Sequence, residues 1–177
     1  MYKCILSVLL YCSLLPYNHV AAMPQKNSNM NQLNDMIKNL EDAGNSLEIL
    51  QVSGPGQLRK VISEMETVKK LNEVNQADLI AVIKDILERN KPPKNADATY
   101  SALCYLLEMK KPASLVPVLI NFYEKNKNRY TFCPSFVVNT LKVITQQDDI
   151  NTKYYTYSVA DGDKTVAAAK RWQQLHK

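Results

Sequence analysis

The chain has 177 residues, a length that normally forms one domain around a single core. Leu, Lys, Ala, Glu and Gln are plentiful and Gly occurs only four times, a composition suited to helices rather than strands. Four cysteines exclude the cysteine-dense miniature scaffolds, and a net charge of +5 is modest for this length.

The first residues, MYKCILSVLLYCSLLPYNHVAA, carry a cation at Lys3, an apolar run from Cys4 to Leu15, a breaker at Pro16 and small residues near Ala22. That order predicts a secretory signal peptide over residues 1–22, and the apolar run is too short to span a membrane. The mature chain is then expected to be secreted, extracellular and without a transmembrane segment. Residues 23–32 are Asn-rich and polar, which predicts a flexible N-terminus ahead of a single helical domain over 33–177.

Leu33, Met36, Ile37, Leu40, Leu47 and Leu50 recur at helical spacing and define a first helix, which SGPG at Ser53 to Gly56 stops. Leu58, Val61, Ile62, Met65, Val68 and Leu71 form a second amphipathic run. Asn75 is placed to cap a third helix, with Asp78 in its first turn, and KPPKN from Lys91 ends it. Asp97 is placed to cap a fourth helix carrying Leu103, Leu106 and Leu107. Ser114 is placed to cap a fifth, in which Pro117 is tolerable because the first turn needs no amide donor there. Pro134 opens a sixth with Val137, Val138, Leu141 and Ile144. A tyrosine-rich piece with Tyr154, Tyr155 and Tyr157 follows, and a seventh helix from about Asp163 carries Val166, Ala167, Trp172 and Leu175. The fold expected is all-α, with six to seven helices.

Two stretches read alike. ADLIAVIKDILERNK from Ala77 and ASLVPVLINFYEKNK from Ala113 lie 36 residues apart, with Leu79 matching Leu115, Val82 matching Val118, Glu88 matching Glu124 and Lys91 matching Lys127. Each is followed by a turn and a second helix, giving possible units at 75–110 and 111–147. A helix pair of this size buries its apolar face only by stacking on a neighbour. The unit resembles HEAT-like helical hairpins, although shorter, and that resemblance implies stacked hairpins; an irregular helical bundle is the alternative.

Chemistry is constrained by what the mature chain keeps. His19 leaves with the signal, so His176 near the C-terminus stands alone, which removes Ser-His-Asp and Cys-His arrangements and any histidine cluster for zinc. SGPGQLRK has a proline where a phosphate loop needs amides. ADGDK at Ala160 has carboxylates one residue apart but lacks the later ligands of a calcium loop, and is better placed as a helix cap. No enzyme activity, cofactor or metal is expected. Cys4 and Cys12 leave with the signal, so Cys104 and Cys133 are expected to form one disulfide.

Charge is uneven. From Met23 to Ile83 there are six cations against eight anions, and from Lys84 to Tyr130 nine against five. Stacked hairpins would set Lys91 and Lys94 of one turn beside Lys125, Lys127 and Arg129 of the next. These five are the candidate residues for an anionic partner, either an acidic protein face or a polyanionic glycan; no nucleic acid is expected. The function expected is that of a secreted, non-enzymatic interaction protein, with an extracellular carrier of a small apolar ligand, or a small hydrolase, as alternatives.

Overall fold

A computed structural model describes residues 25–43, 54–147 and 158–176. Residues 1–22, where a signal peptide is expected, Leu47, Leu50 and the tyrosines from Tyr154 to Tyr157 lie outside the described residues. Among those described the chain is all-α, with eight helices: α1 Gln25–Ala43, α2 Pro55–Glu64, α3 Glu66–Glu73, α4 Gln76–Glu88, α5 Ala96–Lys110, α6 Val116–Asn126, α7 Cys133–Thr145 and α8 Val159–Leu175.

Helix α1 begins at Gln25, inside the stretch expected to be flexible. Leu33, Ile37 and Leu40 are buried and anchor the helix, and polar residues can extend a helix once it is nucleated. The second amphipathic run is two helices rather than one. In an unbroken helix Val68 would point about 240° round from Ile62, away from the core that Leu58 and Ile62 enter. Met65 instead adopts an extended backbone, and the break lets Leu58, Ile62, Val68 and Leu71 all reach the interior.

Asn75 caps α4 as its position suggests, its side-chain oxygen accepting from the N–H groups of Ala77 at 2.9 Å and Asp78 at 3.3 Å. The buried face of α4 is Leu79, Val82, Ile83, Ile86 and Leu87. In α6 and the turn leading into it, the residues 36 positions on from Leu79, Ile83, Ile86 and Leu87 are Leu115, Leu119, Phe122 and Tyr123, and each of these is buried too. The two matching helices therefore turn the same face inward, and they pack against each other. Their followers α5 and α7 do likewise. Two direct contacts between α5 and α7, from Asp97 to Cys133 and from Cys104 to Thr140, also span 36 residues.

Helices α5 and α7 are the centre of the bundle. Residues from Thr99 to Leu107 are buried apart from Tyr105, and α7 is buried from Cys133 to Leu141. Helices α2 and α3 lie against α5, α1 packs on α3, α4 and α5, and α8 covers α6 and α7. Ser114 does not cap α6; it sits in a 3₁₀ turn, Ala113–Leu115, that leads into the helix. Lys111 and Gln146 end α5 and α7 in the left-handed conformation, at φ 49° and 50°.

Helix α8 starts at Val159, four residues ahead of the sequence expectation, because Ser158 caps it by accepting from Asp161 N–H at 3.1 Å. Its inward face is Gly162, Thr165, Val166 and Ala169. Ala167 is exposed and Leu175 is 82 % exposed, so neither joins the core as expected. The helix twists these two positions outward once Gly162 sets the face that meets α6. A Cβ on Gly162 would stand 2.0 Å from the hydroxyl oxygen of the buried Tyr123, so something would have to shift.

Alanine normally gains up to about 1 kcal/mol over glycine inside a helix. Here overpacking of about 1–3 kcal/mol opposes that gain. Gly162→Ala is therefore expected to lower stability by about 1–2 kcal/mol in urea unfolding, the overpacking outweighing the propensity gain. The same change in a Tyr123→Phe background should cost less, because the closest atom is gone.

Candidate functional site

The two basic turns meet at one end of the bundle, and the joint between them is specific. Asp97, expected to cap its own helix, caps the next one instead. Its carboxylate accepts from the N–H groups of Thr131 and Phe132 at 3.0 Å and of Cys133 at 2.7 Å. Asn95, in the left-handed conformation at φ 48°, starts α5 without a side-chain cap of its own. That frees the Asp97 side chain to reach across. The amides ahead of and opening α7 carry the positive end of the helix dipole, so a carboxylate there is favoured twice.

Above this joint lies an aromatic cluster. The Tyr100 ring stands 4.7 Å from Phe122 and 5.5 Å from Tyr130. Burial, followed by the neighbouring Tyr130, pushes the Tyr100 phenol up to about 12, so it stays neutral at ordinary pH. The Arg129 guanidinium lies 5.5 Å from the centre of the Tyr130 ring.

Five candidate cations occupy this end, in two different situations. Lys91, Lys125 and Arg129 are exposed, and among the described residues no ion pair joins them. Lys94 and Lys127 each have a partner from outside the two hairpins. Lys94 Nζ is 3.8 Å from Asp42 at the end of α1, and Lys127 Nζ is 2.7 Å from Asp163 in the first turns of α8. Asn95 also donates to the Glu41 carbonyl at 3.0 Å, which ties the same turn to α1. The structure thus brings the two turns together but draws Lys94 and Lys127 towards different flanking helices. Asp42 and Asp163 escape the sequence reading because neither lies near its partner in the chain. The tie from Lys127 to Asp163 spans 36 residues, the same offset that separates the two matching helices.

The expected disulfide is not formed. Cys104 and Cys133 are both free thiols and both fully buried. They are neighbours, the thiol of Cys133 making a hydrogen bond with Cys104. Asp97 fixes the backbone of Cys133, and Thr140 donates to the carbonyl of Cys104 at 3.0 Å. The two sulfurs are thus hydrogen-bonded thiols and do not stand at the bonding distance of about 2.05 Å. Burial, and then the hydrogen bond to Cys104, pushes the Cys133 thiol well above its ordinary value, so that sulfur is not placed as a nucleophile.

Elsewhere His176 stacks on Trp172 with ring centres 4.3 Å apart, and its Nδ1 lies 2.8 Å from the Trp172 carbonyl. Asp161, in ADGDK, pairs with Ser158 and Lys164 in the first turn of α8, and those two groups hold its carboxyl below the usual range. Among the described residues no three His, Cys, Asp or Glu side chains gather as metal ligands, and no helix is long and apolar enough to cross a membrane. Comparison with protein-family models, with curated proteins and with solved structures finds no match to this chain.

Proposed function

We propose that this chain is a secreted, non-enzymatic interaction protein whose basic end engages an anionic extracellular partner, a polyanionic glycan or an acidic protein face. The observation that supports this reading is the Asp97 joint, in which a carboxylate three residues past Lys94 bonds the amide of Thr131, two residues past Arg129. Cations scattered over a mobile surface add little, because each exposed pair contributes only about 0.2–1 kcal/mol. Cations presented together by a fixed scaffold act on the same polyanion and their contributions accumulate. Lys91 and Lys125, exposed and without ion pairs among the described residues, should supply the largest share.

The test is retention on immobilised heparin. The protein is expected to bind and to elute as salt rises, because exposed charges are screened over about 8 Å at physiological ionic strength. Lys91→Glu with Lys125→Glu should weaken retention about tenfold, or roughly 1–2 kcal/mol. Lys69→Glu with Lys70→Glu serves as the control. These two are exposed on α3, whose end contacts Lys110 at the far end of α5. Equal losses from both pairs would reduce the basic end to general solvated charge.

A further inference from the structure

We infer that Asp163 is an internal stand-in for the ligand anion, and that a sulfate group of a glycan takes its place on Lys127. This rests on the proposal that the basic end binds a polyanion, and it adds which cation is held back and by what. Lys127 is the least exposed of the two paired lysines, with 27 % of its side chain accessible against 73 % for Lys94. Its stem runs beside Tyr123, with Nζ 5.8 Å from the ring centre, so the ammonium has a fixed seat. Asp163 sits on that seat at 2.7 Å and is itself about half exposed. An anion arriving from solvent can therefore reach the ammonium by displacing a carboxylate that loses little by turning to water.

Three observations favour a sulfated glycan over an acidic protein. Lys91 and Arg129 are exposed in turns and Lys125 is exposed in the last turn of α6, so a linear polyanion can reach them without a concave surface. Lys127 offers a compact point charge rather than a planar fork, so it does not select a carboxylate by two-point geometry. The large apolar side chains exposed among the described residues are Met109, Val159 and Leu175, none of them in the two basic turns, whereas protein interfaces concentrate their energy in apolar or aromatic anchors.

Removing the internal anion should therefore strengthen binding. Asp163→Asn is expected to raise the affinity for immobilised heparin about two- to fivefold, the range of an exposed ion pair. Glu73→Gln changes net charge equally, next to Asn72 at the end of the bundle where Lys110 is bound, and should change affinity much less. In a Lys127→Met background the gain from Asp163→Asn should vanish, because it passes through that ammonium. Helical content and urea unfolding of each variant establish that the fold is kept.

Equal gains from Asp163→Asn and Glu73→Gln, or a gain that survives Lys127→Met, would overturn the inference while leaving heparin binding in place. A gain on immobilised polyglutamate but not on heparin would replace the sulfated glycan by an acidic protein. If neither the parent nor Asp163→Asn binds heparin, the basic end itself fails as a site, and the inference fails with it.

Discussion

Replacing Arg59 by methionine is expected to cost the fold about 3–5 kcal/mol, the range for removing one partner of a buried ion pair. The guanidinium of Arg59 in α2 donates to the carboxylate of Glu108 in α5 at 2.5 Å, and the Glu108 side chain is only 3 % exposed. Arg59 also lies over the ring of Tyr105, 4.8 Å from its centre. Its own side chain is 30 % exposed, so water softens the loss and the lower part of the range applies. The cost does not come from the attraction itself. It comes from leaving a carboxylate in the interior without the charge that offsets its desolvation. Glu108→Leu together with Arg59→Met should therefore recover most of the stability, because both charges are gone and apolar volume replaces them. Urea unfolding of the two single variants and the double variant measures this. A double variant no more stable than Arg59→Met alone would mean that packing, not the stranded charge, sets the cost.

Much of the fold is legible in the sequence because it rests on local periodicity. Leu79, Val82, Ile83 and Ile86 announce a buried helix face without reference to anything distant, and Asn75 announces its start. The match at 36 residues likewise marks two helices that turn equivalent residues inward. What is hidden depends on direction in space. Leu58 to Leu71 keeps apolar residues at helical intervals, yet Val68 and Leu71 fall on another face of a straight helix, and only the break at Met65 resolves the conflict.

Charged residues are hidden more deeply. Nothing in the local pattern around Glu108 marks it for burial, which comes from α2 packing on α5 with Arg59 in place. At the candidate site, the lysines of the turns are visible because they are dense. Asp42 and Asp163, which decide how much of that charge faces solvent, come from helices at either end of the chain. The cysteines mislead for a related reason. Counting them without the expected signal peptide leaves a pair, and the pair does meet, but as buried, hydrogen-bonded thiols.

Asp97→Ala should be nearly as damaging as the loss of Arg59, and its effect should be local first. Three N–H groups entering α7, those of Thr131, Phe132 and Cys133, converge on this one carboxylate. A helix cap is worth about 0.5–2 kcal/mol, and hydrogen bonds to a charged group about 1.5–3 kcal/mol each, with water replacing part of the loss at a half-buried site. A net cost of about 3 kcal/mol is expected, measured by urea unfolding. Asp97→Asn keeps one acceptor oxygen but turns an amide N–H₂ towards amides that also donate, so it should recover only part of that. Hydrogen exchange gives the sharper view, because the amides of Thr131 to Cys133 should open at far lower free energy than the interior of α7. The Cys133 thiol, fully buried behind the cap, should gain reactivity in the native state in step with those amides. Heparin retention should fall as well, since the two basic turns no longer share a fixed joint. If Asp97→Ala loses stability but keeps full retention, the turns stay together without the carboxylate. The site would then depend on the Tyr100, Phe122 and Tyr130 rings, and Tyr100→Ala would become the variant that separates them.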